Sequence, residues 1–455
     1  MSLPGNILIV GGGVFGLSTA LSLSQRHPSS KVTILEASPT IPNPHGSSVD
    51  TSRIVRADYS HPTYAKLAAE ATDRWRSSEW GQDGRYTQNG LLLVYPDGDS
   101  TAKDYTTKSY HNVQQLGEDA QFLPTKPDVL RAAPAYSDTL NVAGGYVNWS
   151  SGWADAAAGV QFVKHKLDQQ THQVSFKTGK ATQLLYSKTD NVTGVVLEDG
   201  STIAADLVIL ATGAWTASLV DLRGRAVSTG QILAYMRISD AEQRRLENMP
   251  TILNFGTGIF IIPPRNNLLK IARHAYGYHN PMTVPVPGAP AHLDSTTSTA
   301  TTTTTTTSST TTMSVSLPDT AVPIPLEGET AFRDALRQLL PSMAERPFTE
   351  TRICWYTDTP KGDFLITYHP AHPGLFLATG GSGHAYKFFP VLGDKIVDAL
   401  EGNLASELAE LWAWPGAVDE HRFSGTEDGS RSGAKGLILQ EELAKTVKAR
   451  RVGVL

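Results

Sequence analysis

One cysteine, Cys354, occurs among 455 residues. A lone thiol closes no internal disulfide, so a cystine-stapled secreted scaffold is excluded. Basic charge is not in surplus either: 39 Lys and Arg stand against 44 Asp and Glu, a formal net charge of -5. That balance offers no surface for neutralising phosphates, and no nucleic-acid partner is expected. No apolar run approaches the ~20 residues that span a bilayer, so no membrane partner is expected. The opening "MSLPGNILIVGGG" lacks a charged n-region, and its apolar run stops at once in glycines, unlike a signal peptide. The final Gly453, Val454 and Leu455 are not a standard peroxisomal address. An intracellular, cytoplasmic protein is expected. No metal-ligand cluster, Ser-His-Asp elbow or Walker loop is present, so no metal is expected.

What is there begins with "NILIVGGGVFGLSTALSLSQRHPSSKVTILEAS". Asn6 to Val10 read as a short parallel strand, and Leu17 to Gln25 continue with helical spacing. Between them Gly11, Gly13 and Gly16 fit G-x-G-x-x-G, and the second strand, "KVTILE", ends in Glu36, 20 residues after Gly16. Strand, turn, helix and acid together make a dinucleotide fingerprint. The first glycine permits a tight turn, the second lets backbone approach a pyrophosphate, and the third lets helix and strand pack closely. The helix N-terminus attracts phosphate charge. Glu36 is suited to accept both ribose hydroxyls and to repel the 2′-phosphate of NADP. By itself the fingerprint does not separate FAD from NAD.

At 455 residues the chain exceeds one ordinary core, so two or three domains are expected. "VTGVVLEDGSTIAADLVILATGAW" reads as strand, Asp199-Gly200 hairpin turn, strand, then an apolar strand from Leu207 to Leu210. That hairpin is unlike the helix-linked repeat of a plain NAD domain and is similar to the meander of glutathione-reductase-type FAD domains. The expected fold is α/β: a glutathione-reductase-type, Rossmann-like FAD-binding domain interrupted by a mixed or antiparallel-sheet substrate domain. Residues 1–85, 150–222 and 346–425 are assigned to the first, and 86–149 and 223–345 to the second. The Thr-rich stretch 294–316 offers no apolar face and is expected to be a disordered insertion. Residues 426–455 read as a tail with a surface helix.

Five motifs occur together: the fingerprint, "GSSVDTSRIVR" (46–56), "LLKIARH" (268–274), "CWYTDTP" (354–360) and "GGSGHAYKF" (380–388). In this order the chain resembles the monomeric sarcosine oxidase and fructosyl-amino-acid oxidase (amadoriase) family of FAD-dependent amine oxidases. The resemblance runs from about residue 5 to 405. A free cysteine is most often a small buried hydrophobe. The resemblance implies instead that Cys354 is the flavin-linking residue, an 8α-S-cysteinyl tether formed by attack of a thiolate, the form that cationic surroundings favour. It further implies that Arg53 faces the flavin. Arg56 and Lys387 would bind a substrate carboxylate, which a guanidinium can clamp bidentately. Lys270 would help oxygen accept its first electron, and His274, on the same strand face, would stand at the substrate site. The alternative for Lys270 is an edge-strand lysine facing solvent. The cofactor contacts expected in full are Gly11, Gly13, Val14, Phe15, Gly16, Glu36, Ala37, Ser38, Ser47, Ser48, Arg53, Ala181, Ala211, Gly213, Trp215, Cys354, Gly381, Gly383, His384 and Lys387.

The reaction this implies is oxidation of a secondary amine, with hydride passing to flavin N5, an imine leaving, and O2 returning as hydrogen peroxide. A small amine with a carboxylate and O2 are the expected partners, and a monomer the expected state. Arg273 beside His274, and the lack of a tyrosine near Ile259 and Phe260, argue against sarcosine itself. N-methyl and fructosyl amino acids, pipecolate and saccharopine all fit a carboxylate clamp. A flavin amine dehydrogenase with another electron acceptor, and a catalytically silent dinucleotide-binding protein, are the alternatives.

Overall fold

The computed structural model describes residues 3–287, 312–416 and 425–451. Most of the Thr-rich stretch, and the Gly453-Val454-Leu455 terminus, lie outside the described residues.

The strand Asn6–Val10 lies near the middle of a six-stranded sheet. Its neighbours are Lys31–Glu36 and Leu207–Leu210, both parallel, with Ile9 opposite Ile34 and Ile209. Val174–Thr178 extends one side in parallel, and Leu375–Thr379 the other, with Leu365–Tyr368 antiparallel at the edge. These short aliphatic runs suit a sheet covered on both faces. Alternation along the first strand shows how. Ile7 and Ile9 share a core with Leu17 of helix Val14–Arg26 and with Val391 and Leu392 of helix Phe389–Glu401. Leu8 and Val10 point the other way, into a core shared with Leu184 and Val195 of the three-stranded meander.

A mixed sheet of ten strands forms the second layer system. Its centre runs from Val227–Arg237 through Leu268–Arg273, Ile259–Arg265 and Thr251–Asn254 to Leu91–Tyr95. Most pairs are antiparallel, and Thr251–Asn254 with Leu91–Tyr95 is parallel. The strand carrying the cysteine, Glu350–Asp358, pairs antiparallel with Val227–Arg237 and sets Cys354 opposite Gln231. The sequence division grouped 346–425 with the first sheet, but this strand belongs to the second. Its alternation explains why it reads as part of either. Ile353 and Trp355 enter the second sheet's core, whereas Cys354 and Tyr356 join the core of the dinucleotide half.

Two other expectations change. Thr312–Ser316, the end of the Thr-rich stretch, is an ordered strand paired with Pro281–Pro285. Val315 packs on a core, and Ser316 is buried and donates to Ser228 O at 2.7 Å. The apolar–polar alternation of Met313 to Ser316 is a strand signal that the threonine run hides. The tail is more than a surface helix. Leu437–Ile438 adds a strand beside Tyr278–His279, and helix Leu439–Arg451 buries Leu439, Glu442 and Thr446. Among the described residues no helix is long and apolar enough to cross a membrane.

Gly11 shows why the first turn needs glycine. Its φ is +112°, and a Cβ there would lie 2.4 Å from Ala211 O on the adjoining strand end. Gly11→Ala is therefore expected to lose roughly 1–3 kcal/mol of stability through backbone strain alone. Thermal melts of the variant beside the wild type, each as isolated, measure this.

Candidate active site

A cavity of about 520 Å³ opens where the first two parallel strands end. Of the expected cofactor contacts, Gly11, Gly13, Glu36, Ala37, Ser38, Ser47, Ser48, Ala181, Ala211, Gly213 and Trp215 line it. Val14, Phe15 and Gly16 do not. Val14 N donates to Ser48 Oγ at 3.0 Å, and the Phe15 ring turns inward against Phe364 at 5.6 Å. Gly16 packs so tightly over the turn that a Cβ would meet Gly11 O at 1.9 Å. Glu36 holds the surrounding loops: its carboxylate accepts from Gly12 N at 2.8 Å, Ser38 N at 2.9 Å and Asn43 Nδ2 at 2.9 Å. With two lone-pair sites per oxygen, Oε2 keeps one for a ribose hydroxyl. The volume lies within the ~300–1,000 Å³ of ordinary ligand sites. The backbone-lined turn and the inward acid fit the adenosine-diphosphate half of FAD.

Nearby is a second, smaller cavity of about 60 Å³. Arg53, Arg56, His274, Gly383, His384 and Lys387 line it, with Ser52, Ile54, Leu253, Phe260, Tyr356 and Tyr386. Three separate stretches of sequence thus place three cations and two imidazoles on one small space. Gly383 permits this crowding, because at φ +69° a Cβ would strike the Tyr356 ring at 2.2 Å. Gly381 is not among the lining residues. Backbone N–H groups in this loop are partly used already: Ser382 N donates to Thr357 O at 3.0 Å and His384 N to Gly381 O at 2.9 Å.

Arg56 is buried, and its Nη1 has no hydrogen-bond partner. Its guanidinium stacks over Tyr59 at 4.7 Å. Lys387 Nζ donates to Tyr59 Oη and to His384 O, each at 2.8 Å. Burial, and then the Arg56 charge, push the Lys387 pKa well below the usual lysine range. Tyr59 links the lysine to His384, whose Nδ1 lies 2.9 Å from the phenol and whose Nε2 lies 2.7 Å from Gly362 O. A carbonyl only accepts, so Nε2 carries the proton and Nδ1 accepts from Tyr59. Burial, reinforced by Lys387, keeps this imidazole neutral.

Lys270 is buried on a central strand, not exposed on an edge. Its Nζ donates to Asp50 Oδ2 and Ser52 O, both at 2.7 Å, and lies 5.9 Å from the Phe260 ring centroid. Burial outweighs the attraction of Asp50 and lowers its pKa to about 8. Asp50 moves the opposite way to what burial alone would do, below the ordinary carboxylate range, because Lys270 and Arg53 both face it. Three ammonium protons meet two acceptors here, so one is left over. Lys270 does not line the small cavity. His274, just beyond the end of the same strand, does.

Cys354 is a buried free thiol. Arg53 Nη2 reaches its Sγ at 3.3 Å and Ser47 O at 3.0 Å, while Arg53 Nη1 pairs with Asp50 at 2.7 Å. Cys354 itself lines neither cavity; Arg53, which lines the small one, bonds both its sulfur and the carbonyl of Ser47, which lines the large one. Asp50, Tyr59, Tyr356 and Arg431 were not singled out from the sequence. The first two stand three residues from Arg53 and Arg56, and Tyr356 shares a strand face with Cys354. Arg431 has no such signal. Among the described residues no group of three or more His, Cys, Asp or Glu is placed to hold a metal ion.

Residues 6–399 match the family model described as FAD dependent oxidoreductase. The chain belongs to this family. Amino acid oxidase imqH of Aspergillus flavus is 31% identical, across 92% of this chain and 99% of that protein. A monomeric sarcosine oxidase of a Bacillus species is 24% identical over 87% of this chain and 92% of its own length. In three dimensions the chain is similar to a modified fructosyl peptide oxidase from Aspergillus nidulans, with TM-score 0.82, 26% identity, and coverage of 97% and 99%. The amine-oxidising branch named from the five motifs is the one these matches support, and the flavin is FAD.

Proposed function

We propose that this FAD-dependent amine oxidase acts, as a monomer, on a secondary amine bearing a carboxylate, an N-substituted amino acid, and that Cys354 tethers its flavin. The observation that carries the substrate class is the unpartnered Nη1 of buried Arg56 beside buried Lys387. Two desolvated cations sharing one small cavity repel each other, and an anion between them removes that penalty. When bound, FAD supplies the two-electron acceptor that takes hydride from the carbon beside nitrogen and passes the electrons to O2. The substrate loses that hydride and its N–H proton to become an imine, and O2 gains two electrons and two protons as hydrogen peroxide.

Arg56 and Lys387 fix the carboxylate and thereby orient the adjacent C–N bond. Tyr59, accepting from Lys387 and donating to His384, holds the ammonium in place. Phe260, Leu253 and Tyr356 give the cavity an apolar wall that excludes water. Lys270 keeps a buried positive charge, anchored by Asp50, where charge develops on oxygen. Removing one preorganised charge of this kind typically slows a step ~10²–10³-fold. Lys270→Met is accordingly expected to slow oxygen-dependent turnover by about that factor and leave anaerobic flavin bleaching nearly unchanged. The ammonium is charged below its pKa and neutral above it. Wild-type reoxidation is therefore expected to decline as pH rises through about 8, a dependence the methionine variant lacks. Stopped-flow mixing with oxygen measures both.

A peroxide-coupled screen of N-methyl amino acids, pipecolate, saccharopine and fructosyl amino acids tests the substrate class. Equal turnover of amines with and without a carboxylate would remove the basis for the reading.

A further inference from the structure

Arg431 lies outside the residues that match the family model and in a segment whose sequence carries no motif. It is nonetheless one of the most completely buried cations in the molecule, its side chain 1% exposed. Nη2 pairs with Asp358 Oδ1 at 2.8 Å and donates to Ser382 O at 2.8 Å. Nη1 stands 3.0 Å from His274 Nδ1 and 3.4 Å from Ala275 O, and the guanidinium carbon lies 5.4 Å from the Tyr356 ring. A guanidinium has donors and no acceptor. Nδ1 of His274 must therefore be the acceptor, and an accepting Nδ1 carries no proton. The neutral ring then holds its proton on Nε2, the nitrogen left for the cavity that His274 lines.

We propose that Arg431 is a positioning residue that locks His274 into the Nε2–H tautomer, so that this histidine offers the substrate a hydrogen-bond donor and takes no proton from it. The proposal rests on the small cavity being the amine site. Four cationic or titratable neighbours act in the same direction, and Asp358, the acid bonded to Arg431, opposes them from behind that guanidinium. Arg431 comes from the C-terminal segment, Arg56 from the Arg53–Val55 strand end, and His384 and Lys387 from the loop before helix Phe389–Glu401. Burial comes first and these groups follow, holding the His274 pKa well below its ordinary value. Tyr356, 6.0 Å away ring to ring, adds an aromatic face and no fixed charge. A proton-accepting role would need Nδ1, which Arg431 occupies. The substrate must then reach the cavity with its nitrogen already neutral, or lose that proton to another group. His274 Nε2–H instead recognises an acceptor oxygen, of the carboxylate or of the side chain.

Long-range ¹H–¹⁵N correlation spectra of histidine-labelled holoenzyme read the tautomer directly, with His274→Gln assigning the signal. In the wild type, one Nε2–H pattern is expected to persist across the neutral pH range without titrating. In Arg431→Met that pattern is expected to split or move with pH, and Arg431→Lys, which keeps a donor, is expected to restore it. Asp358→Asn loosens the same anchor but leaves an oxygen for Arg431, and is expected to keep the wild-type pattern. An Arg431→Met spectrum identical to wild type overturns the proposal, as does an Asp358→Asn spectrum as disturbed as that of Arg431→Met, which would mean general loosening. Benzoate, a carboxylate without an amine, separates this from the substrate reading. If His274 keeps its tautomer but benzoate titrated by calorimetry shows no binding that depends on Arg56, the amine-site assignment fails while the lock stands.

Discussion

Acid-precipitated Cys354→Ser protein is expected to be colourless, while the wild-type pellet stays yellow and its intact mass carries one FAD. The competing account is strong in general, since most buried free cysteines are inert packing atoms. Three placements weigh against it here. The thiol sits on the strand face it shares with Tyr356, which lines the small cavity. Its sulfur receives a hydrogen bond from Arg53, itself fixed by Asp50 and Ser47 O. That arginine lines the small cavity and bonds the carbonyl of Ser47, a lining residue of the large one. The pinned guanidinium holds the sulfur in one place beside the small cavity. Serine keeps the size and still accepts from Arg53, so any fold penalty stays near the ~1–3 kcal/mol of an imperfectly paired buried hydroxyl. Far-UV circular dichroism of the variant separates loss of the tether from loss of the fold. If the wild-type flavin washes out under acid, the tether is rejected and Cys354 is packing.

The second large effect is expected at Arg56. Truncating one member of a desolvated charge cluster typically costs about 2–5 kcal/mol. At ~1.4 kcal/mol per tenfold, that is roughly a 30- to 4,000-fold fall in kcat/KM for Arg56→Met. The loss is expected mostly in KM, because the carboxylate is held alike in ground and transition states, with a smaller loss in kcat from poorer orientation. Lys387→Met is expected to cost less. Arginine stays charged at any working pH, whereas burial and Arg56 lower the affinity of Lys387 for its proton. The sign follows from the same direction. As pH rises through that lowered pKa the free enzyme loses the second cation, so wild-type KM is expected to climb, and the climb is expected to be absent in Lys387→Met. Steady-state kinetics across pH, on whichever amine the screen identifies, measures all three.

The cleft for the dinucleotide is legible from the chain because its determinants are local. Gly11, Gly13 and Glu36 sit within one strand-turn-helix-strand unit, and periodicity places each of them. The small cavity is legible only through motif order. Arg56, His274, His384 and Lys387 come from distant segments, and no spacing rule brings them together. Asp50 escapes notice for another reason: an acid three residues before an arginine reads as an ordinary surface pair until burial shows it anchoring Lys270 and Arg53. The Cys354 strand falls between the domains assigned from sequence because its two faces serve different cores. Thr312–Ser316 is obscured by the threonine run before it. Arg431 carries no local pattern, and its role depends on a long-range return of the tail that composition does not encode.

The most direct test of the central claim is an anaerobic titration of wild-type holoenzyme with matched pairs, each an N-substituted amino acid and the same amine lacking its carboxylate. Absorbance of the oxidised flavin is followed, with Arg56→Met run in parallel. The account predicts that the acid bleaches the wild type, that its decarboxylated partner does not, and that Arg56→Met responds weakly to both. Bleaching by both members alike, undiminished in Arg56→Met, would contradict it.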